Sequence, residues 1–114
     1  MNKVFVKIHW VAPEEGGRSM PPQGISYISV SRLKGQTLED WKKNAWSIQL
    51  DFVDDDNQEA YIRYAFASFV SDKAPHAQLR PGITFDLYEG PRLVATAEVL
   101  LSEKMMENMA RQMT

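Results

Sequence analysis

The chain has 114 residues, thirteen lysines and arginines against fifteen aspartates and glutamates, a formal charge of −2 and no cysteine. That length suits one domain able to bury a core unaided, and the missing cysteines exclude a disulfide framework, a thiol nucleophile and a cysteine-type zinc site. The net negative charge weighs against a dedicated nucleic-acid binder, which is usually basic overall.

No apolar run approaches the ~20 residues that span a bilayer. Met1-Asn2-Lys3 leads straight into alternating residues rather than into the continuous apolar stretch of a signal peptide, so a cytoplasmic protein is expected. Val4, Val6, Ile8 and Trp10 alternate with Phe5, Lys7, His9 and Val11, which predicts a strand over 3–11 with a firm inner face and a partly covered outer one. Residues 12–24 (APEEGGRSMPPQG) read as a loop, broken by Gly-Gly and Pro-Pro. Residues 25–33 (ISYISVSRL) are β-branched and aromatic enough for a second strand, which Gly35 ends. Thr37 can then N-cap a short helix, Leu38 to Lys43, with acids early and lysines late as the helix dipole favours. Leu38 and Trp41, three residues apart, are expected to anchor it over a barrel end.

Trp46, Ile48, Leu50 and Phe52 alternate with Ser47, Gln49 and Asp51, so 46–53 is a strand. Asp54-Asp55-Asp56-Asn57 is a polar turn, and 59–70 (EAYIRYAFASFV) returns as the partner strand. After a loop over 71–80, Leu79 to Leu100 reads as a hairpin. Pro81-Gly82 makes the entering turn, and Ile83, Phe85 and Leu87 alternate with Thr84, Asp86 and Tyr88. Glu89-Gly90-Pro91-Arg92 breaks the run; Leu93, Ala95, Ala97 and Val99 resume it against Val94, Thr96 and Glu98. Ser102 can N-cap a last helix over 102–113, on which Met105, Met109 and Met113 follow Leu101 at intervals of four in one slanted apolar stripe. A helix this short is marginal in water, so the stripe needs covering, by the barrel in the first instance or else by another chain.

Six strands with closely spaced turns predict a mainly β fold: a small six-stranded antiparallel barrel over residues 1–100, with a short inserted helix and a C-terminal helix (101–114) packed on it. The expected core is Val6, Ile8, Ile48, Leu50, Phe52, Ile62, Phe66, Phe85, Leu87 and Val99.

Few residues suggest catalysis. The five carboxylates of Asp51–Glu59 lack the Asp-x-Asp-x-Asp register and the glycine of a calcium loop, and suit a solvated hairpin tip. His9 and His76 are too few and too isolated for a metal cage. No nucleophile elbow of the G-x-S-x-G type occurs. No catalytic residue, cofactor or metal is expected.

Two separated motifs carry a resemblance. The hairpin phrase Leu79-x-Pro81-Gly82-x-x-Phe85-x-Leu87-x-Glu89-Gly90-x-Arg92-x-Val94-x-x-Ala97 resembles the closing hairpin of the third domain of translation elongation factor Tu. Upstream, Glu14-Glu15-Gly16-Gly17-Arg18 resembles the Glu-Glu-Gly-Gly-Arg loop after that domain's first strand. The resemblance spans residues 3–100. It implies a stand-alone barrel of that type, acting as a non-catalytic binding module with a protein partner favoured and RNA as the alternative. A small ligand-binding barrel or hydrolase is the third possibility. By resemblance, the binding residues are Glu15, Gly16, Gly17, Arg18, Glu89, Gly90 and Arg92, on the side that in the family meets the tRNA backbone. A guanidinium can fork onto phosphate, and glycine lets a backbone approach closely. Two positions depart from the family: Gly24-Ile25-Ser26-Tyr27-Ile28 lacks its arginine, and Pro91 replaces the second glycine of its turn.

Overall fold

Large apolar side chains stand opposite alanines in four of the six strand pairings of this barrel. The computed structural model describes residues 3–18, 22, 24–53 and 61–113. In chain order the strands are β1 (Val4–Trp10), β2 (Ser26–Leu33), β3 (Trp46–Phe52), β4 (Ile62–Phe69), β5 (Thr84–Glu89) and β6 (Arg92–Leu101). Helix α1 (Leu38–Lys43) lies between β2 and β3, and α2 (Glu103–Gln112) follows β6. All six strands pair antiparallel in the order β1-β4-β3-β2-β5-β6, and β6 pairs back onto β1 to close the barrel.

Inside, Leu50 stands opposite Ala67, Phe85 opposite Ala97 and Leu87 opposite Ala95. Val6 meets Ala65, and Ile8 meets Ala97. Small residues beside large ones fill a narrow barrel without voids or overlap. Two inward hydroxyls are satisfied by backbone: Ser29 donates to the Tyr88 carbonyl at 2.8 Å and Ser31 to the Trp46 carbonyl at 2.7 Å.

This volume rule corrects part of the expected core. Val6, Ile8, Ile48, Leu50, Phe52, Phe85, Leu87 and Val99 are buried, but Ile62 and Phe66 are not. On β4 the inward residues are Ala65, Ala67 and Phe69. Phe66 points outward, its ring 5.6 Å from that of Phe5, which also stacks on Tyr64 at 5.9 Å. Leu93 is likewise exposed while Val94 is fully buried. The β5–β6 register shifts beside Leu87 and Tyr88, so that Ala95 and Leu93 face consecutive residues and Val94 is the extra one. Such a bulge reverses the alternation on its strand.

Both helices begin where expected. Thr37 Oγ1 accepts from the Asp40 N–H, and Ser102 Oγ accepts from the Met105 N–H, each at 3.1 Å. Trp41 anchors helix α1 to the barrel. Its indole N–H donates to the Ser31 carbonyl at 2.9 Å and its ring meets Tyr88 at 4.6 Å. Leu38 stays half exposed. Helix α2 has no buried residue, and Met105, Met109 and Met113 are exposed, so the barrel does not cover the stripe. The Asp54–Asn57 turn, the start of the strand placed at Glu59, and most of the carboxylates of Asp51–Glu59 lie outside the described residues. Among the described residues no helix is long and apolar enough to cross a membrane.

Candidate functional site

At one end of the barrel an aromatic layer closes the core. Trp10, Tyr27 and Phe52 all come from inward positions of their strands. The Trp10 ring stands edge-on to Tyr27 at 5.6 Å and tilted to Phe52 at 6.4 Å. Two guanidinium groups lie over this layer, Arg18 at 5.6 Å from the Tyr27 ring centre and Arg63 at 4.2 Å from that of Phe52. Cations attract the negative faces of such rings. The buried Trp10 indole N–H finds no hydrogen-bond acceptor among the described residues.

The glycine-rich loop delivers Arg18 to this layer. After β1 the chain makes one 3₁₀ turn at Pro13–Glu15, with Gly16 in the left-handed region at φ 95°. The Ala12 carbonyl accepts from the Glu15 N–H at 2.9 Å and from the Gly17 N–H at 3.1 Å, so the loop holds its own shape. The closing turn of the β5–β6 hairpin delivers Glu89, with Gly90 at φ 60°.

Arg18 and Glu89, 71 residues apart in sequence, form an ion pair through one guanidinium nitrogen and Oε2. The Tyr27 hydroxyl donates to the same Oε2. The two motifs that carry the resemblance therefore converge on one carboxylate oxygen. Charge-assisted bonds of this kind are stronger than neutral ones.

The electrostatics follow from the geometry. Partial burial pushes the Glu89 carboxyl up, but the bonds from Tyr27 and Arg18 and the charges of Arg18 and Arg92 outweigh it and hold the group below the usual carboxylate range. Burial raises the Tyr27 phenol, and the adjacent Glu89 carboxylate raises it further. Burial works against the Arg18 charge, yet Glu89 more than compensates and keeps the guanidinium firmly protonated. The site is thus a fixed, charge-balanced pair on an aromatic floor.

Of the residues expected to bind, Arg18, Glu89 and Arg92 act on one another here. Gly17 and Gly90 shape the two turns. Glu15 and Gly16 are exposed beside them. Sequence reasoning missed Tyr27, which lies in the very stretch that departs from the family by lacking an arginine. Its inward place at the start of β2 was the available signal. Among the described residues no group of three or more His, Asp or Glu side chains is placed to hold a metal. In comparisons with known proteins, no protein-family model and no curated protein matches the chain.

Proposed function

We propose that the chain is a non-catalytic, cytosolic binding module of the elongation factor Tu third-domain kind, and that its Arg18–Glu89 end docks another protein. The carrying observation is the convergence of the two resemblance-bearing loops on Glu89, across 71 residues of sequence. Arg18 and Tyr27, partly exposed over the buried Trp10–Phe52 floor, are of the residue types that dominate protein-binding hot spots. A pre-organised pair also spares the ordering cost that a mobile arginine would incur on binding. RNA ranks second because phosphate contacts dominate its affinity, and the arginine best placed for phosphate is already neutralised by Glu89.

Affinity capture with the wild-type chain and with the Glu89→Ala and Arg18→Ala variants, each with and without nuclease, tests this reading. A nuclease-resistant partner lost in both variants supports protein docking. A nuclease-sensitive partner, retained or strengthened when Glu89 is removed, shifts the reading to RNA. Capture unchanged in both variants removes this end of the barrel from the function.

A further inference from the structure

Tyr27 and Phe52, at the Arg18–Glu89 end, lie at the start of β2 and the finish of β3. Leu33 and Trp46 are the other ends of those two strands, at the opposite rim of the barrel. A cavity of about 450 Å³ opens there between α1 and the loop over 71–80. Pockets of roughly 300–1,000 Å³ take small organic ligands. Its apolar lining is the buried Leu33, Pro75, and the partly buried Trp46, which also packs against the core. Among the described residues, two lysines, Lys34 and Lys73, share that lining with one carboxylate, Asp40.

Hydrogen bonds fix both walls of the cavity. On the α1 side Gln36 is the hub. Its Oε1 accepts from the Leu33 N–H at 3.2 Å, and its Nε2 donates to Asp40 Oδ2 at 2.8 Å and to the Asn44 carbonyl at 3.0 Å. Asn44 Nδ2 donates to the other Asp40 oxygen at 2.9 Å. The bonds from Asn44 and Gln36 hold the Asp40 carboxyl below the usual carboxylate range and occupy both of its oxygens. On the loop side, the Ala74 N–H donates to the Ser71 carbonyl at 3.2 Å and the Gln78 N–H to that of Pro75 at 2.9 Å. The lysines are the uncommitted groups: among the described residues, neither Lys34 nor Lys73 forms an ion pair.

We propose that this cavity binds a small organic anion with a ring body, its anionic group against Lys34 and Lys73 and its ring against Trp46. Charge decides the sign of the ligand. Two lysines outnumber one carboxylate, and that carboxylate already accepts from Gln36 and Asn44. A lysine ammonium acts as a flexible point charge, so a phosphate or a carboxylate suits it. The lining decides the body: an indole face favours packing by another ring. Walls held in place beforehand spare the ordering cost that a loose pocket incurs on binding. The cavity lies at the rim away from Arg18 and Glu89, so it stands whether or not that end docks a partner.

NMR titration of the full chain with phenyl phosphate and with benzoate tests the proposal. At least one probe should move the Gly35, Asn44 and Gln78 amides and the Trp46 indole N–H together. Its Kd should be about 1 mM, the affinity open to so small a ligand. The tighter of the two probes identifies the anion. Phenol, which lacks the charge, and inorganic phosphate, which lacks the ring, should each bind at least ~10-fold more weakly, since each forfeits half of the site. Lys34→Ala and Lys73→Ala should each weaken the tighter probe ~10-fold, about the worth of a bond to a charged group. Both lysines are exposed, so the melting temperature should not change. The absence of a saturating shift below about 10 mM with either probe overturns the proposal. So does phenol or phosphate binding as tightly as the better probe, and so does wild-type affinity in both lysine variants.

Discussion

Gly17 lies so close to Val11 that a β-carbon on it would stand 2.0 Å from the Val11 carbonyl oxygen. The obstacle is backbone, which cannot swing aside as a long side chain would. Gly16, next to it, has nothing within 4 Å of the same position but holds a φ of +95°. The two glycines are therefore required for different reasons, one for space and one for conformation. Gly16→Ala should cost ~1–2 kcal/mol, the usual penalty of a left-handed residue with a side chain. Gly17→Ala should cost more and move the loop, so that the Arg18–Glu89 pair is lost as well. Denaturant melts with an NMR shift map of Glu89 would check this. Equal, small losses with an unshifted Glu89 would show that the loop is looser than its contacts indicate.

The ion pair itself should add only modestly to stability. Both side chains are about a third exposed, and solvent-screened pairs are typically worth ~0.2–1 kcal/mol. A double-mutant cycle with Arg18→Ala and Glu89→Ala should return a coupling in that range. Tyr27→Phe should cost ~1.5–3 kcal/mol, as for a hydrogen bond to a charged group. If the proposed docking holds, the same variants should weaken partner binding by much more than they weaken folding.

Stability should respond to pH from both sides through this cluster. The Glu89 carboxyl is held below its ordinary value of 4.5 in the folded chain. Its contribution is present above that value and is lost as pH falls through the lower folded one. The Tyr27 phenol is raised above its ordinary 10.0. Its contribution is present below 10.0 and is lost as pH rises through the higher folded value. The difference between wild type and Glu89→Gln should therefore shrink in acid, and that between wild type and Tyr27→Phe should shrink in strong alkali. Differences that do not vary with pH would exclude the cluster as a titrating unit.

Phe85, 1 % exposed on β5 and opposite Ala97, tests the core. Phe85→Ala places alanine against alanine and leaves a cavity, at a cost of ~3–5 kcal/mol. Loss of under about 1 kcal/mol in a urea melt would mean that the interior can collapse around the gap, contrary to the close packing of protein cores.

What the sequence determined by itself is the local structure. The alternation of Val4, Val6, Ile8 and Trp10, the caps at Thr37 and Ser102 and the turns at Gly82 and Gly90 all depend on residues within a few positions of one another, where rotation per residue and backbone sterics act directly. The six-strand antiparallel barrel followed from adding these elements together. Tertiary structure decided the rest. Phe66 looks like a core residue beside Ala65 and Ala67, but barrel volume admits the alanines, because Val6 and Leu50 already fill the space across from them. Leu93 turned outward because one extra residue shifted the β5–β6 register. Glu89 gained Arg18 and Tyr27 only on closure of the sheet, which brings β2, β5 and the loop after β1 to the same rim. The methionine stripe was legible at once as a surface needing cover. Its exposure was not, since amphipathic periodicity says which residues share a face but not which way that face turns.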